Sequence, residues 1–460
     1  MFLNKGVHWM QEQDDITAIE IANSLVEASA SGISATVVKL IRSGKITTGT
    51  RLPKVRDLAR ELHVSSATVS AAWKNLRSRG YIDGTGRQGS WVSSAAPRIG
   101  PRRFDFLSNY LPDGAVDMTY ASPDPHLLPD LRQAFSYALN IDPELHSYTR
   151  QAITPALQRA IAPHWPFKAQ QWLAVSGGFE GLHLLLQGIS SPGEKYAVAD
   201  PAPPRILDIL DRCGLRPVPV ETDKHGPSPS SLEQALNGGV AGFIYEPRCS
   251  SLLGVSITNN RREELVPILR KHEAIVIEDD GAGDISEKPL LSLGTFLPQQ
   301  TVLIRSFSKA YGPDLRIGVM GSANPRPIEL ARETLKFGAG WVSRILQNSL
   351  AHLIADKESI RTVSVARETY GRRRTLLARA LTERGVSPLS HDGLVMSVPV
   401  LSDARSQLVL ATHGYAVTTS ELTRISHKQP FIRLTVGVLS EEQLLKATDA
   451  IALAASAPAV

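Results

Sequence analysis

The segment SFSKAYGPDLRIG sets an amine, Lys309, between the hydroxyls of Ser306 and Ser308, with the guanidinium of Arg316 seven residues on. It follows the apolar run TVLIR, so the lysine is expected just past the end of a strand. A lysine that loses its proton can form a Schiff base with an aldehyde, and burial near Arg316 disfavours its ammonium form. Ser306, Ser308 and Arg316 would then hold a phosphate dianion through hydroxyl and charge-assisted bonds. An amine beside a phosphate pocket is the chemistry that pyridoxal 5'-phosphate requires. A surface lysine after a strand is far commoner in general, but the two serines, Pro313, Arg316 and Gly318 in one run argue against it.

Other chemistry-bearing groups fall at similar places in the chain. Ser176, Gly177 and Gly178 precede a helix-like stretch, where backbone amides make a ready anion site. Apolar runs in KYAVAD, AGFIYEP, AIVIEDD and TVLIRSF alternate with helix-like segments, which predicts an α/β domain with a mostly parallel sheet. Functional groups then belong at the carboxyl ends of its strands, where VSGG, ADP, YEP, EDD and SFSK all stand. At 460 residues, 42% hydrophobic and 21% charged, the chain is long enough for more than one folded unit and too apolar for disorder. It has no run of about 18 uncharged apolar residues, no apolar leader at its start and two cysteines, so a soluble protein of the reducing cytoplasm is expected. No metal-ligand cluster stands out.

Charge is unevenly divided. Residues 1–32 carry a net −4, residues 33–93 carry eleven Lys/Arg against Asp57, Glu61 and Asp83 for a net +8, and the rest is near neutral. A short basic block predicts a polyanion partner for that segment. Val55, Leu58, Ala59 and Leu62 recur at helical spacing, with Pro53 ahead of them. A turn at His63-Val64 leads to Ser65 as N-cap of a helix through Thr68, Val69, Ala72, Trp73 and Leu76. Two helices joined by a turn of about four residues make a helix-turn-helix, and YIDGTGRQGSWV predicts two short strands around a glycine-rich tip. Ile16, Ile19, Leu25 and Val26 predict one more amphipathic helix in the acidic extension 1–32, and residues 94–114, rich in Pro, Gly and Ser, read as a linker.

The segment RLPKVRDLARELHVSSATVSAAWKNLRSRGYI…GRQGSWV resembles the winged helix-turn-helix of the GntR family of bacterial regulators. The resemblance makes Lys54, Arg56, Ser66, Thr68 and Arg87 the DNA contacts, with the later helix in the major groove and the earlier helix and wing on the backbone. Relatives often carry an arginine where Ser66 stands, so a bidentate guanine contact is missing here. Residues 115–460 resemble the fold-type I, class I aminotransferases, and the fusion of the two is the layout of the MocR subfamily. That likeness implies Lys309 as the internal aldimine lysine, with Ser306, Ser308, Arg316 and the backbone of Ser176, Gly177 and Gly178 on the phosphate. It implies Asp279 on the pyridine nitrogen, with Glu278 or Asp280 as a neighbour facing solvent, and Arg433 as a clamp for an amino acid's carboxylate. A homodimer is implied as well.

Three cofactor contacts usual in the family have changed. Pro203 stands where an aromatic ring stacks, Gly281 or Ala282 where a tyrosine donates to the ring oxygen, and Ser251 where an asparagine is usual. Arg205 either replaces a lost contact, binds an effector's acid group, or faces water at a helix start. Tyr148 lies where relatives reach the partner subunit's phosphate, in a poorly matching context. The resemblance therefore implies a DNA-binding transcription regulator that senses pyridoxal phosphate or an amino-acid-like or amine effector. The alternative is a working aminotransferase carrying a DNA-binding domain.

Overall fold

Thr17 opens the first described helix with a capping box, accepting from the amide of Glu20 while the Glu20 carboxylate takes the amide of Thr17. The structure, a computed structural model, describes residues 16–78, 80–84, 89–93, 101, 103, 114–389, 392–426 and 429–457. It divides into two units, Met1–Arg102 and Arg103–Val460.

In the first unit, α1 (Ala18–Ser24), α2 (Ala30–Arg42), β1 (Arg51–Leu52), α3 (Val55–Glu61), α4 (Ser66–Ser78), β2 (Ile82–Asp83) and β3 (Ser90–Val92) surround one core. Ile21, Ile33, Val37, Leu58, Val69, Trp73 and Leu76 are almost wholly buried in it. In the described part of the acidic extension, α1 packs on this core through Ile21, and Ile19 and Val26 are exposed, because a helix entered at Thr17 turns Ile21 rather than Ile19 inward. The wing strands form as expected, Ile82 opposite Val92, but β1 joins β3 as a third strand. Arg87 lies outside the described residues, as does most of 94–114. Within that stretch Arg103 is tied to Asp208 at 3.2 Å and Asp211 at 2.6 Å.

The second unit is built on an eight-stranded sheet. In chain order its further strands are β4 (Val116–Asp117), β5 (Gln171–Val175), β6 (Lys195–Asp200), β7 (Arg216–Asp223), β8 (Gly226–Pro227), β9 (Gly242–Tyr245), β10 (Ile275–Asp280), β11 (Thr301–Ser306), β12 (Gly318–Ser322), β13 (Val395–Pro399), β14 (Tyr415–Ala416), β15 (Thr418–Thr419) and β16 (Phe431–Thr435). The large sheet runs β5-β12-β11-β10-β9-β6-β7-β8, parallel except where β12 and β8 pair antiparallel. Both faces are covered, Ile277 and Ile304 packing in one cluster and Val276 and Leu303 in others, so the runs read as continuously apolar. A smaller sheet, β13-β16-β15, packs its Ile432 and Leu434 into a separate cluster. Among the described residues no helix is long and apolar enough to cross a membrane.

Candidate functional site

Register brings the strand ends together. Val175 stands opposite Gly318, Gly318 opposite Ser306, and Asp280 opposite Arg305, so the carboxyl ends of β5, β11 and β10 open on one edge. Lys309 follows in the short helix α5 (Ser308–Tyr311) and donates from Nζ to the carbonyl of Gly281 at 3.0 Å. A Cβ built on Gly281 would stand 3.7 Å from Lys309 Nζ, 3.8 Å from Asp279 Oδ1 and 3.9 Å from Glu246 Oε1.

Asp279 and its neighbours separate because successive strand residues point to opposite faces. Asp280 is fully buried and forked by Arg248 at 2.9 and 2.8 Å, with Arg305 at 3.5 Å. Burial opposes its charge, but the two guanidiniums prevail and hold its pKa below the usual carboxylate range. Glu278 is also fully buried, accepting from Tyr245 and Ser292 at 2.5 Å and from the amide of Leu293 at 2.7 Å. Burial raises it to about 7. Neither carboxylate faces solvent, contrary to the expectation for one of them, since the strand lies inside the sheet and each is consumed by a structural network. Asp279 alone has no hydrogen-bond partner among the described residues, and burial with nearby Glu246 raises its pKa to about 7 while Lys309 opposes the rise.

The glycine turn after β5 stands beside Arg316, Asp279 and Ser306. Gly177 (φ +101°) caps the helix α6 (Gly178–Ile189), and a Cβ on it would stand 3.4 Å from Arg316 Nη2. At Gly178 a Cβ would stand 3.3 Å from Asp279 Oδ1 and 3.6 Å from Ser306 Cβ. Arg316, exposed and itself left-handed (φ +49°), donates to the Ser176 carbonyl at 3.3 Å. The amide of Ser176 is taken by the carboxylate of Glu180. Ser306 and Ser308 are half-buried beside Lys309. Arg205 lies in the first turn of the helix α7 (Pro204–Arg212), half-buried, with its guanidinium 5.6 Å from the centre of the Phe179 ring. Pro203 is buried at the N-cap of that helix.

Arg433 is 8% exposed, and its Nη2 donates to the Thr119 carbonyl and, at 3.2 Å, to Thr418 Oγ1, while Nη1 donates to the Ser251 carbonyl at 3.3 Å. Its Nε is buried with no hydrogen-bond partner among the described residues. Burial lowers its pKa to about 10 against the pull of Glu246. Tyr148 is exposed and meets the edge of Trp341.

On the first unit, Lys54 and Arg56 are exposed at the start of α3, and Ser66 is exposed at the start of α4. Thr68 is half-buried, its hydroxyl 2.8 Å from the Ser65 hydroxyl that also accepts the Thr68 amide at 3.1 Å.

Residues 29–92 match the model of bacterial regulatory proteins of the gntR family, and residues 115–451 match that of aminotransferases of class I and II. The vitamin B6 salvage pathway transcriptional repressor PtsJ of Salmonella typhimurium is 30% identical over 413 residues, 88% of this chain and 93% of the relative. The chain belongs to the MocR subfamily of gntR-family regulators. The pyridoxine biosynthesis regulator PdxR of Corynebacterium glutamicum is 27% identical over 396 residues, covering 83% of this chain and 85% of PdxR. The kynurenine aminotransferase of Pyrococcus horikoshii superposes with a TM-score of 0.69 at 17% identity over 78% of this chain and 94% of the enzyme, which shows the fold.

This MocR chain is accordingly a DNA-binding transcription regulator with an aminotransferase fold, a fold whose family depends on pyridoxal phosphate. Its site contains one residue that the sequence reading left unassigned. Glu246, in the strand-end YEP, accepts from the amide and hydroxyl of Ser251 at 2.9 and 3.1 Å through Oε2. Its Oε1, Lys309 Nζ and Asp279 Oδ1 all lie within 4 Å of the place a Cβ on Gly281 would take. Burial raises its pKa, while Lys309 and Arg433 pull it down. The only sequence signal was a carboxylate at the end of an apolar run.

Proposed function

We propose that this regulator binds pyridoxal 5'-phosphate through Lys309 and reports occupancy, by the cofactor or by a small amine or amino-acid-like effector, to an operator-binding unit. The observation that carries this reading is Asp279: a buried carboxylate without a partner, facing the space that Lys309 and the glycine cradle share. When bound, the cofactor supplies an aldehyde and a ring nitrogen that a carboxylate can keep protonated. Lys309 would hold the carbonyl carbon, and Asp279 would accept from the ring nitrogen and gain the partner it lacks. Gly177 and Gly178 would present amides to the phosphate, with Ser306, Ser308 and Arg316 around it. Arg205, over Phe179 in the first turn of α6, stands on the same flank. Pro203, Gly281 and Ser251 remove contacts that orient the ring, which favours a sensor over a fast transaminase. The assembly is proposed to be a homodimer.

An effector shifts an equilibrium only by its differential affinity for two states. DNA affinity should therefore change several-fold when pyridoxal phosphate is added to cofactor-free protein. Equal affinity with and without it would overturn the sensing role. Multiple turnovers with an amino acid and a keto acid, on the order of 1 per second or more, would overturn the regulator-only reading.

For the DNA side, Arg56→Ala is expected to weaken binding uniformly across sequences and to lower the slope of log K against log salt by about 1, as loss of a phosphate contact does. A titration over a salt series measures this. Lys54, Ser66, Thr68 and Arg87 complete the proposed contacts. Thr68 contributes mainly by fixing the cap, since its hydroxyl is engaged by Ser65.

A further inference from the structure

The carboxylate clamp expected at Arg433 is not free to act. A guanidinium grips a carboxylate with two parallel N–H groups, either Nη1 with Nη2 or Nε with Nη2. Both forks use Nη2, and both of its hydrogens are already given to Thr119 and Thr418. Nη1 is tied to Ser251, whose amide and hydroxyl in turn hold Glu246. An amino acid would have to break these bonds while bringing a second carboxylate toward Glu246 Oε1. Two carboxylates so enclosed cannot both stay charged without strong repulsion, because water does not screen them as at a surface.

A cation meets the opposite situation. Glu246 spends one oxygen on Ser251 and leaves the other toward the position of the Lys309 amine. We propose that Glu246 is the specificity-determining residue of the cofactor site, closing it to α-amino acids and admitting primary amines that carry no α-carboxylate. The inference rests on the cofactor reading above and narrows its effector to one chemical class. Arg433 then serves to position Ser251 and the β15–β16 edge, and through Ser251 to orient Glu246.

The test is an absorbance titration of the full-length, pyridoxal-phosphate-loaded protein with n-pentylamine and with norleucine, which has the same carbon chain apart from its carboxylate. The amine is expected to perturb the cofactor band at concentrations at least tenfold lower than the amino acid. In Glu246→Gln that ratio is expected to shrink at least tenfold, with norleucine binding gained and amine binding weakened. A wild-type protein that responds to norleucine as readily as to the amine overturns the proposal while leaving the cofactor reading intact, and needs no variant to do so. An unchanged ratio in a Glu246→Gln protein that still carries the cofactor band also overturns it. A protein that stays colourless with added pyridoxal phosphate overturns both readings together.

Discussion

Lys309→Ala is expected to abolish the visible absorbance of the pyridoxal-phosphate-treated protein and its covalent labelling after borohydride reduction. The amine at 309 is the proposed nucleophile, set 3.0 Å from the Gly281 carbonyl in a one-turn helix. Alanine keeps that helix, because alanine has the highest helix propensity and the half-buried lysine packs little of the core. The variant should therefore stay folded, with a melting temperature within a few degrees of the parent. DNA binding in the absence of cofactor should persist, because the operator-binding unit closes its own core through Ile21, Ile33, Leu58, Val69 and Trp73. The response of DNA affinity to added cofactor should disappear. A Lys309→Ala protein that retains the visible band would show attachment elsewhere and remove the assignment of Lys309. Far-ultraviolet dichroism beside the absorbance scan separates loss of attachment from loss of fold.

The parts of this site legible in the sequence are those fixed by strand ends. Ser306, Lys309 and Gly178 follow apolar runs directly, so knowing that each run is a strand places them at one edge, and sheet register does the rest. The face on which a residue points is harder to read. Glu278, Asp279 and Asp280 are alike in sequence, and only the partners Tyr245, Arg248 and Arg305, brought from other strands and loops, show that two are structural and one is not. Glu246 escaped for the same reason, because its neighbours Lys309 and Arg433 lie more than sixty and about 190 residues away in the chain. The fate of Arg433 was also invisible, since its acceptors are main-chain carbonyls that carry no side-chain signal. In the first unit the helix-turn-helix was plain from its spacing, whereas the phase of α1 was not. A seven-residue helix gives too few turns for its apolar positions to choose between Ile19 and Ile21.

Asp279→Asn is expected to act in opposite directions on the cofactor-free and cofactor-bound protein. The carboxyl keeps its proton up to about pH 7 in the folded chain, chiefly because it is buried. Unfolded, it releases the proton near pH 4, so between those values the folded state binds more protons and stability falls as pH rises. Above pH 7 the whole deficit is present. Asparagine has the same shape and no charge, so at pH 8 the cofactor-free variant should be more stable than the parent by about 1–3 kcal/mol, a rise of a few degrees in melting temperature. At pH 4 the two should melt together. Glu278 titrates in the same window but is present in both proteins, so the difference between them isolates position 279. With pyridoxal phosphate the order reverses, because the neutral amide brings no negative charge to keep the ring nitrogen protonated, and affinity should fall roughly 30-fold or more. Calorimetry at pH 4 and pH 8, with and without cofactor, gives the four melting temperatures required. If the variant melts below the parent at pH 8 without cofactor, the carboxylate at 279 already has a partner, and the argument that it awaits a ring nitrogen fails.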